Sequence, residues 1–301
     1  MIDALPEELR HGVEQALRTR EQSPRIVRVE PVAGGCIHNG CLIVTDTGSE
    51  WFLKWNRTVP PGMFEAEAEG LRALRATGAV RVPEPMACEA PETEGPAWLL
   101  MEYVRPGPVR PGSEQALGAG LARLHRSAVD RTFGWSEDNW IGSLPQANPL
   151  MESWGEFWRD ARIHPQLERA RRSGRLRDPV FDRLLEATPG ALSHVVQPEL
   201  LHGDLWQGNT LTAEDGEPVL IDPAVYRGDG EVDLAMSELF GGFGSAFYEA
   251  YATGRPITSE YRTYGRDLYQ LYYLLVHVNL FGASYESATL AAARRVMEAV
   301  G

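Results

Sequence analysis

Cysteine is scarce in this chain. Its 301 residues include three, Cys36, Cys41 and Cys88. An odd number with no CxxC pair argues against both a disulfide framework and a zinc site, so reduced thiols are expected. Long apolar runs are missing as well. The most apolar stretch, residues 268–281, contains Tyr269, Gln270, His277 and Asn279. It is too short and too polar to span a bilayer and reads as a buried helix. The first ten residues, MIDALPEELR, are acidic and lack the apolar segment of a secretory signal. A cytoplasmic protein with no membrane partner is therefore expected. Basic excess is also absent: 29 Lys and Arg against 42 Asp and Glu give a net charge of −13, which disfavours nucleic acid as a partner. No internal repeat or low-complexity tract interrupts the sequence.

At 43% hydrophobic content, the chain can bury a core sufficient for one large domain or two lobes. Residues 1–22 suggest an amphipathic helix with Leu5, Leu9, Val13 and Leu17 on one face. From residue 26 to 55 the pattern is strand-like (IVRVEPV, CLIVT, EWFLKW), punctuated by Gly34–Gly35 and by residues 46–48. A helix is predicted over 63–77, followed by strands near 86–88 and 98–103. Pro106, Pro108, Pro111 and Gly112 then form a stiff connector. Beyond it the pattern is mostly helical, over 114–126, 152–172, 178–187 and 262–282, with one β-like interruption at 210–221. The expectation is an α+β molecule: a small sheet lobe with one helix over 1–104, and a larger, mainly helical lobe over 105–301. The cleft between such lobes is a natural ligand site.

The residues that carry chemistry fall on this frame in order. Lys54 lies in the strand WFLKW. Alternation puts Phe52 and Lys54 on one face and Leu53 and Trp55 on the other, and a lysine on an apolar strand needs a partner or an exposed edge. In the following helix Phe64, Leu71 and Leu74 form the inward stripe, and Glu67 falls on it. A Lys54–Glu67 pair directed at nucleotide phosphates satisfies both residues. Between two strands lies GGCIHNG, residues 34–40, which is neither a Walker loop nor GxGxxG. Gly34 and Gly35 would let backbone amides approach phosphates, or simply turn the chain. Cys36 and Cys41 flank this loop as accessible thiols or as ordinary small residues. His38 reads as exposed. Adenine is expected on main-chain atoms of Glu102, Tyr103 or Val104, where LLMEY enters the connector.

The most specific motif is LHGDLWQGN, residues 201–209, followed by VLID, residues 219–222. Asp204 precedes Asn209 by five residues, and Asp222 closes a strand. These are the parts needed for phosphoryl transfer: Asp204 for the acceptor hydroxyl, and Asn209 and Asp222 for Mg2+ bridging the nucleotide phosphates. His202 and His125 read as satisfied structural histidines. Trp154 and Trp158 read as core, whereas Trp206 and Trp140 are placed at the substrate pocket, where aromatic faces suit sugars and alkylammonium groups.

The chain resembles the fructosamine/ketosamine-3-kinases, within the aminoglycoside-phosphotransferase-like branch of the protein-kinase fold. GGCIHNG, MFEAEAEGL, DNWIGSLPQ, HGDLWQGN and IDPAVYRGDGEVDLAM resemble that family's blocks in the same order. The resemblance implies a two-lobed kinase-like fold and ATP-dependent phosphorylation of the 3-hydroxyl of a ketosamine, whose product is prone to eliminate and return the amine. It also implies a small-molecule glycated amine as partner, and the chain is expected as a monomer or weak homodimer. Asp233, in EVDLAM, matches a family aspartate that would brace the catalytic loop. Arg227 stands where an aromatic residue is common. Two other readings stay open at this point: a kinase of the same fold for an aminoglycoside, choline or homoserine-type hydroxyl, and a catalytically silent nucleotide-binding module.

Overall fold

The protein is described by a computed structural model, which covers residues 5–32, 38–89, 95–127 and 131–301. The first lobe contains α1 (Glu7–Leu17), β1 (Ile26–Pro31), β2 (Asn39–Thr45), β3 (Glu50–Asn56), α2 (Met63–Ala76), β4 (Pro85–Glu89) and β5 (Ala97–Glu102). The five strands form one antiparallel sheet in the order β1-β2-β3-β5-β4. Its two faces follow the period-two alternation of the sequence. Ile43, Leu53, Trp98 and Leu100 face Leu9, Val13 and Leu17 of α1. Phe52, Leu99 and Met101 face Phe64, Leu71 and Leu74 of α2. The amphipathic helix expected within residues 1–22 is α1, which covers the back of the sheet and gives the lobe a second helix beside α2.

The connector is not free-running. The Gly107 amide donates to the Thr212 carbonyl at 2.8 Å, so the proline-rich segment pairs with the second lobe. That lobe continues through α3 (Ser113–Ser127), β6 (Asn139–Ile141) and β7 (Leu144–Gln146) to a long helical stretch: α4 (Trp154–Phe157), a π turn (Trp158–Ile163) and α5 (His164–Arg172). Then follow α6 (Val180–Ala191), β8 (Glu199–Leu201), β9 (Thr210–Thr212), β10 (Pro218–Leu220), β11 (Tyr226–Gly228), α7 (Glu231–Leu239), α8 (Ser245–Gly254), α9 (Arg266–Phe281) and α10 (Glu286–Val300). Where a single β-like interruption was expected, three antiparallel pairs occur among the described residues: β6–β7, β8–β11 and β9–β10. Three-residue strands are too short for alternation to show in a sequence. Trp154 and Trp158 are fully buried, stacked among Phe157, Tyr269 and Tyr272. Among the described residues no helix is long and apolar enough to cross a membrane.

Candidate active site

Lys54 sits in the middle of β3, opposite Gly40 on β2 and Leu99 on β5, on the face towards α2. The inward stripe of α2 brings Glu67 against it, with Nζ 2.7 Å from Oε2 and 2.9 Å from Oε1. Lys54 Nζ also donates to Asp222 Oδ1 at 3.1 Å, tying the sheet to the second lobe. Burial alone would lower the lysine pKa, but the Glu67 and Asp222 carboxylates outweigh it and raise it, so the ammonium stays charged. Asp222 follows β10 with φ +54°. A non-glycine residue costs about 1 kcal/mol or more in that left-handed region, and such strain concentrates at functional sites.

The LHGDLWQGN segment leaves β8 at His202. Gly203 takes φ +83°, and a Cβ there would collide with the Ala224 carbonyl oxygen, so glycine is required. Asp233, on α7, accepts from the amides of His202 (2.8 Å) and Gly203 (2.9 Å) and bonds His125 Nε2 at 3.1 Å. His125 Nδ1 pairs with the Tyr251 hydroxyl at 2.8 Å, and the Tyr273 hydroxyl donates to the Gly203 carbonyl at 2.7 Å. His202 Nε2 lies 3.0 Å from the Ile221 carbonyl and Nδ1 accepts from the Asp204 amide, so the ring is the neutral Nε2–H tautomer, in keeping with a pKa lowered by burial. Both structural histidine readings agree with these bonds.

Asp204 receives the Asn209 amide twice, at 2.8 Å on its carbonyl and 2.9 Å on Oδ2. With Nδ2 committed, Oδ1 of Asn209 is the atom left to face a cation. The Ile221 amide donates to the Asn209 carbonyl at 3.0 Å, which sets Asn209 beside the Asp222 strand. Asp204 is pushed up to about 7 by burial, helped by the charges of Asp222 and Asp233 and opposed by the Asn209 bond. Two hard oxygen donors, Asn209 Oδ1 and the Asp222 carboxylate, fit Mg2+, which is ordinarily held by few protein ligands plus substrate phosphates.

Other expected residues are placed as follows. The Glu102 amide already donates to Glu84 (2.9 Å), and its carboxylate pairs with Arg81 at 3.1 Å, so the side chain is committed. Tyr103 follows it, and Val104 is buried against Ala213 and Val219, with Leu211 and Ile221 alongside. Trp206 is 37% exposed, its ring edge-on to Phe240 at 6.5 Å. Trp140 is half-buried beside Gly62 at the start of α2. Gly34, Gly35 and Cys36 lie outside the described residues. One expectation is corrected. His38 is not exposed: its ring lies 5.0 Å from Phe64, and burial, reinforced by Lys54, pushes it down to about 4. Of the two readings of Cys41, the ordinary small residue holds: it is buried in β2 and pushed up to about 12 by desolvation.

Sequence reasoning missed Tyr251, Tyr273 and Arg255. Arg255 pairs with Glu199 and Asp229, both at 2.8 Å, and the Tyr269 hydroxyl donates to Asp229 at 2.6 Å. These partners are far apart in the chain and carry no local signal; an aromatic residue in an apolar helix simply reads as core. Arg227, the departure from the family pattern, lays its guanidinium over Trp135 at 4.6 Å.

A sheet lobe with a Lys–Glu pair, facing a helical lobe with an Asp–Asn loop and a strand-end Asp, defines a two-lobed, protein-kinase-like phosphotransferase. The fructosamine kinase family profile matches residues 10–299. A probable ketoamine kinase from Synechocystis is 41% identical over 91% of both chains. A chloroplastic protein-ribulosamine 3-kinase from Arabidopsis thaliana is 38% identical over 92% of this chain and 85% of its own length. A solved structure assigned as a fructosamine-3-kinase, from Haemophilus somnus, superposes with TM-score 0.86 at 28% identity, covering 95% of this chain and 96% of its own. The chain belongs to the fructosamine kinase family.

Proposed function

We propose that this protein transfers the γ-phosphoryl group of ATP to the 3-hydroxyl of a ketosamine, a sugar-derived adduct of an amine. The observation that carries the reading is the meeting of two sets of side chains. Lys54, Glu67 and Asp222 are in direct contact, and Asp204 and Asn209 are bonded to one another and joined to Asp222 through the Ile221–Asn209 backbone bond.

In this reading Glu67 orients Lys54 towards the nucleotide phosphates. Adenine takes main-chain hydrogen bonds from Tyr103 or Val104, since the Glu102 amide is in use. Asp204 accepts the proton of the substrate hydroxyl as its oxygen bonds to the γ-phosphorus, the bond from that phosphorus to the bridging oxygen breaks, and ADP leaves. Asn209 and Asp222 would hold Mg2+, whose charge offsets that developing on the phosphoryl oxygens. Trp206 lies two residues beyond Asp204 with a face available to the adduct.

The test is turnover of fructosamine- and ribulosamine-type substrates, followed by ADP release, with the phosphorylated carbon located by NMR. Phosphorylation at carbon 3 is expected. ADP release with choline or an aminoglycoside, and none with ketosamines, would replace this reading with another acceptor on the same fold.

A further inference from the structure

The DNWIGSLPQ block, part of the family resemblance, contributes no side chain to the Lys54–Glu67–Asp222 cluster, yet it is anchored on both sides of it. From below, Asn139 Nδ2 donates to the Val225 carbonyl at 2.7 Å, and Gln146 Nε2 donates to Asn139 Oδ1 at 2.7 Å and to the Ala224 carbonyl at 3.3 Å. Ala224 and Val225 lie two and three residues beyond Asp222. The anchor is itself braced: the Tyr272 hydroxyl donates to Gln146 Oε1 at 2.7 Å, and Asn148, bonded to Asn139, accepts from the fully buried Arg162 at 2.7 Å. From above, a Cβ on Gly62 would lie 3.6 Å from the Trp140 ring, at the first residue of the α2 turn, and the Ser136 hydroxyl donates to Glu69 Oε1 at 3.2 Å. Helix α2 in turn rests on the strand-end segment. Gly70 is buried, and a Cβ there would sit 3.0 Å from Val225 and 3.6 Å from Pro223. A mid-helix glycine costs up to about 1 kcal/mol relative to alanine, so it marks a place where close approach is favoured over helix propensity.

We propose that the β6–β7 hairpin and its flanks form a positioning element that clamps α2 to the Asp222–Val225 segment. The clamp fixes Glu67 on Lys54. The proposal rests on the reading of Lys54, Glu67 and Asp222 as the nucleotide site. It makes Trp140 a positioning residue that acts through α2, rather than a contact of the adduct.

A double-mutant cycle on the full chain tests it. Trp140→Ala is expected to reduce kcat/KM for ATP by on the order of tenfold or more, because small displacements of a positioned group are costly. KM for the ketosamine should stay within about twofold, and Trp140→Phe should restore most of the loss. In a Glu67→Gln background the same Trp140→Ala change should cost less than about twofold, since residues acting through one another are non-additive. Losses that multiply independently would overturn the proposal. So would a raised ketosamine KM with unchanged ATP parameters, which would return Trp140 to the substrate pocket. If Trp140→Ala does not fold, Ser136→Ala runs the same cycle with the same criteria. If wild type turns over no ketosamine, the cycle is read through Mg·ATP affinity by fluorescence titration, so the clamp and the choice of acceptor fail separately.

Discussion

In its proposed role Asp204 would accept the hydroxyl proton from a half-buried position where ionisation is disfavoured. Asp204→Asn keeps the shape and removes the base; kcat should fall by about 10²–10⁴-fold with nucleotide affinity nearly unchanged. Because kcat/KM reports the free enzyme, its acid limb should titrate near pH 7, where the Asp204 carboxyl sits. The same shift has a stability consequence of defined sign. An unfolded aspartate ionises near 3.8, whereas the folded one holds its proton up to about 7. Between those values the folded state binds more protons, so this group's contribution to stability is complete below the lower value and is lost as pH rises through about 7. Without metal or nucleotide, Asp204→Asn should therefore melt higher than wild type at pH 8, and the gap should close below pH 4. A variant that melts lower at pH 8 would contradict the burial cost assigned to Asp204. At this scale the sequence was informative where a side chain breaks a period. Lys54 on an apolar strand and Glu67 on an inward stripe each need a partner, and their pairing follows. His38 was misplaced because nothing local says that Phe64 folds over it.

Elements position these residues through backbone approaches that no local pattern announces. Helices α3 and α8 carry His125 and Tyr251, which together hold Asp233, although the two are 126 positions apart. The helices meet at Gly118, where an added Cβ would collide with the Phe247 carbonyl oxygen and lie 3.1 Å from its Cα. Gly118→Ala should destabilise the protein by about 1–3 kcal/mol through overpacking, read as a lower urea midpoint with an unchanged slope. Activity should fall below what the unfolded fraction explains, because parting α3 from α8 loosens the Tyr251–His125–Asp233 chain under Gly203. The helices α2, α3 and α9 and the sheet strands were legible because each repeats its period several times, whereas α7, α8 and α10 fell only within a mostly helical pattern without bounds of their own. Strands β9 and β10 lie within the β-like stretch expected over 210–221, but β6, β7, β8 and β11 were not foreseen, since three residues cannot establish a period and their pairing is set by the loops they support.

At the scale of the whole molecule, polar ties among the described residues join the two lobes. Lys54 reaches Asp222, the Arg81 guanidinium spans Glu102 and Glu217, and the Leu220 amide donates to the Arg81 carbonyl at 2.9 Å. The chain's net charge of −13 opposes the approach of an anionic nucleotide. The small sheet and the helical body that follows it were readable along the chain, but the seam between them was not, because ties such as Lys54–Asp222 and Arg81–Glu217 join residues more than a hundred positions apart. A nucleotide lying across that seam would add contacts present only when both lobes are folded and closed. By linkage, ligand at a hundred times its Kd stabilises the folded state by about 2.7 kcal/mol, and at roughly 2 °C per kcal/mol for a chain of this size the melting temperature should rise by about 5 °C. If Asn209 and Asp222 hold the metal, chelating it should remove most of that rise in wild type. In Asp222→Ala, ATP should give the same small shift with and without Mg2+. A full metal-dependent shift in that variant would place the cation elsewhere in the cleft and remove Asp222 from its proposed role, while leaving untouched the proposal that Lys54, oriented by Glu67, meets the nucleotide phosphates.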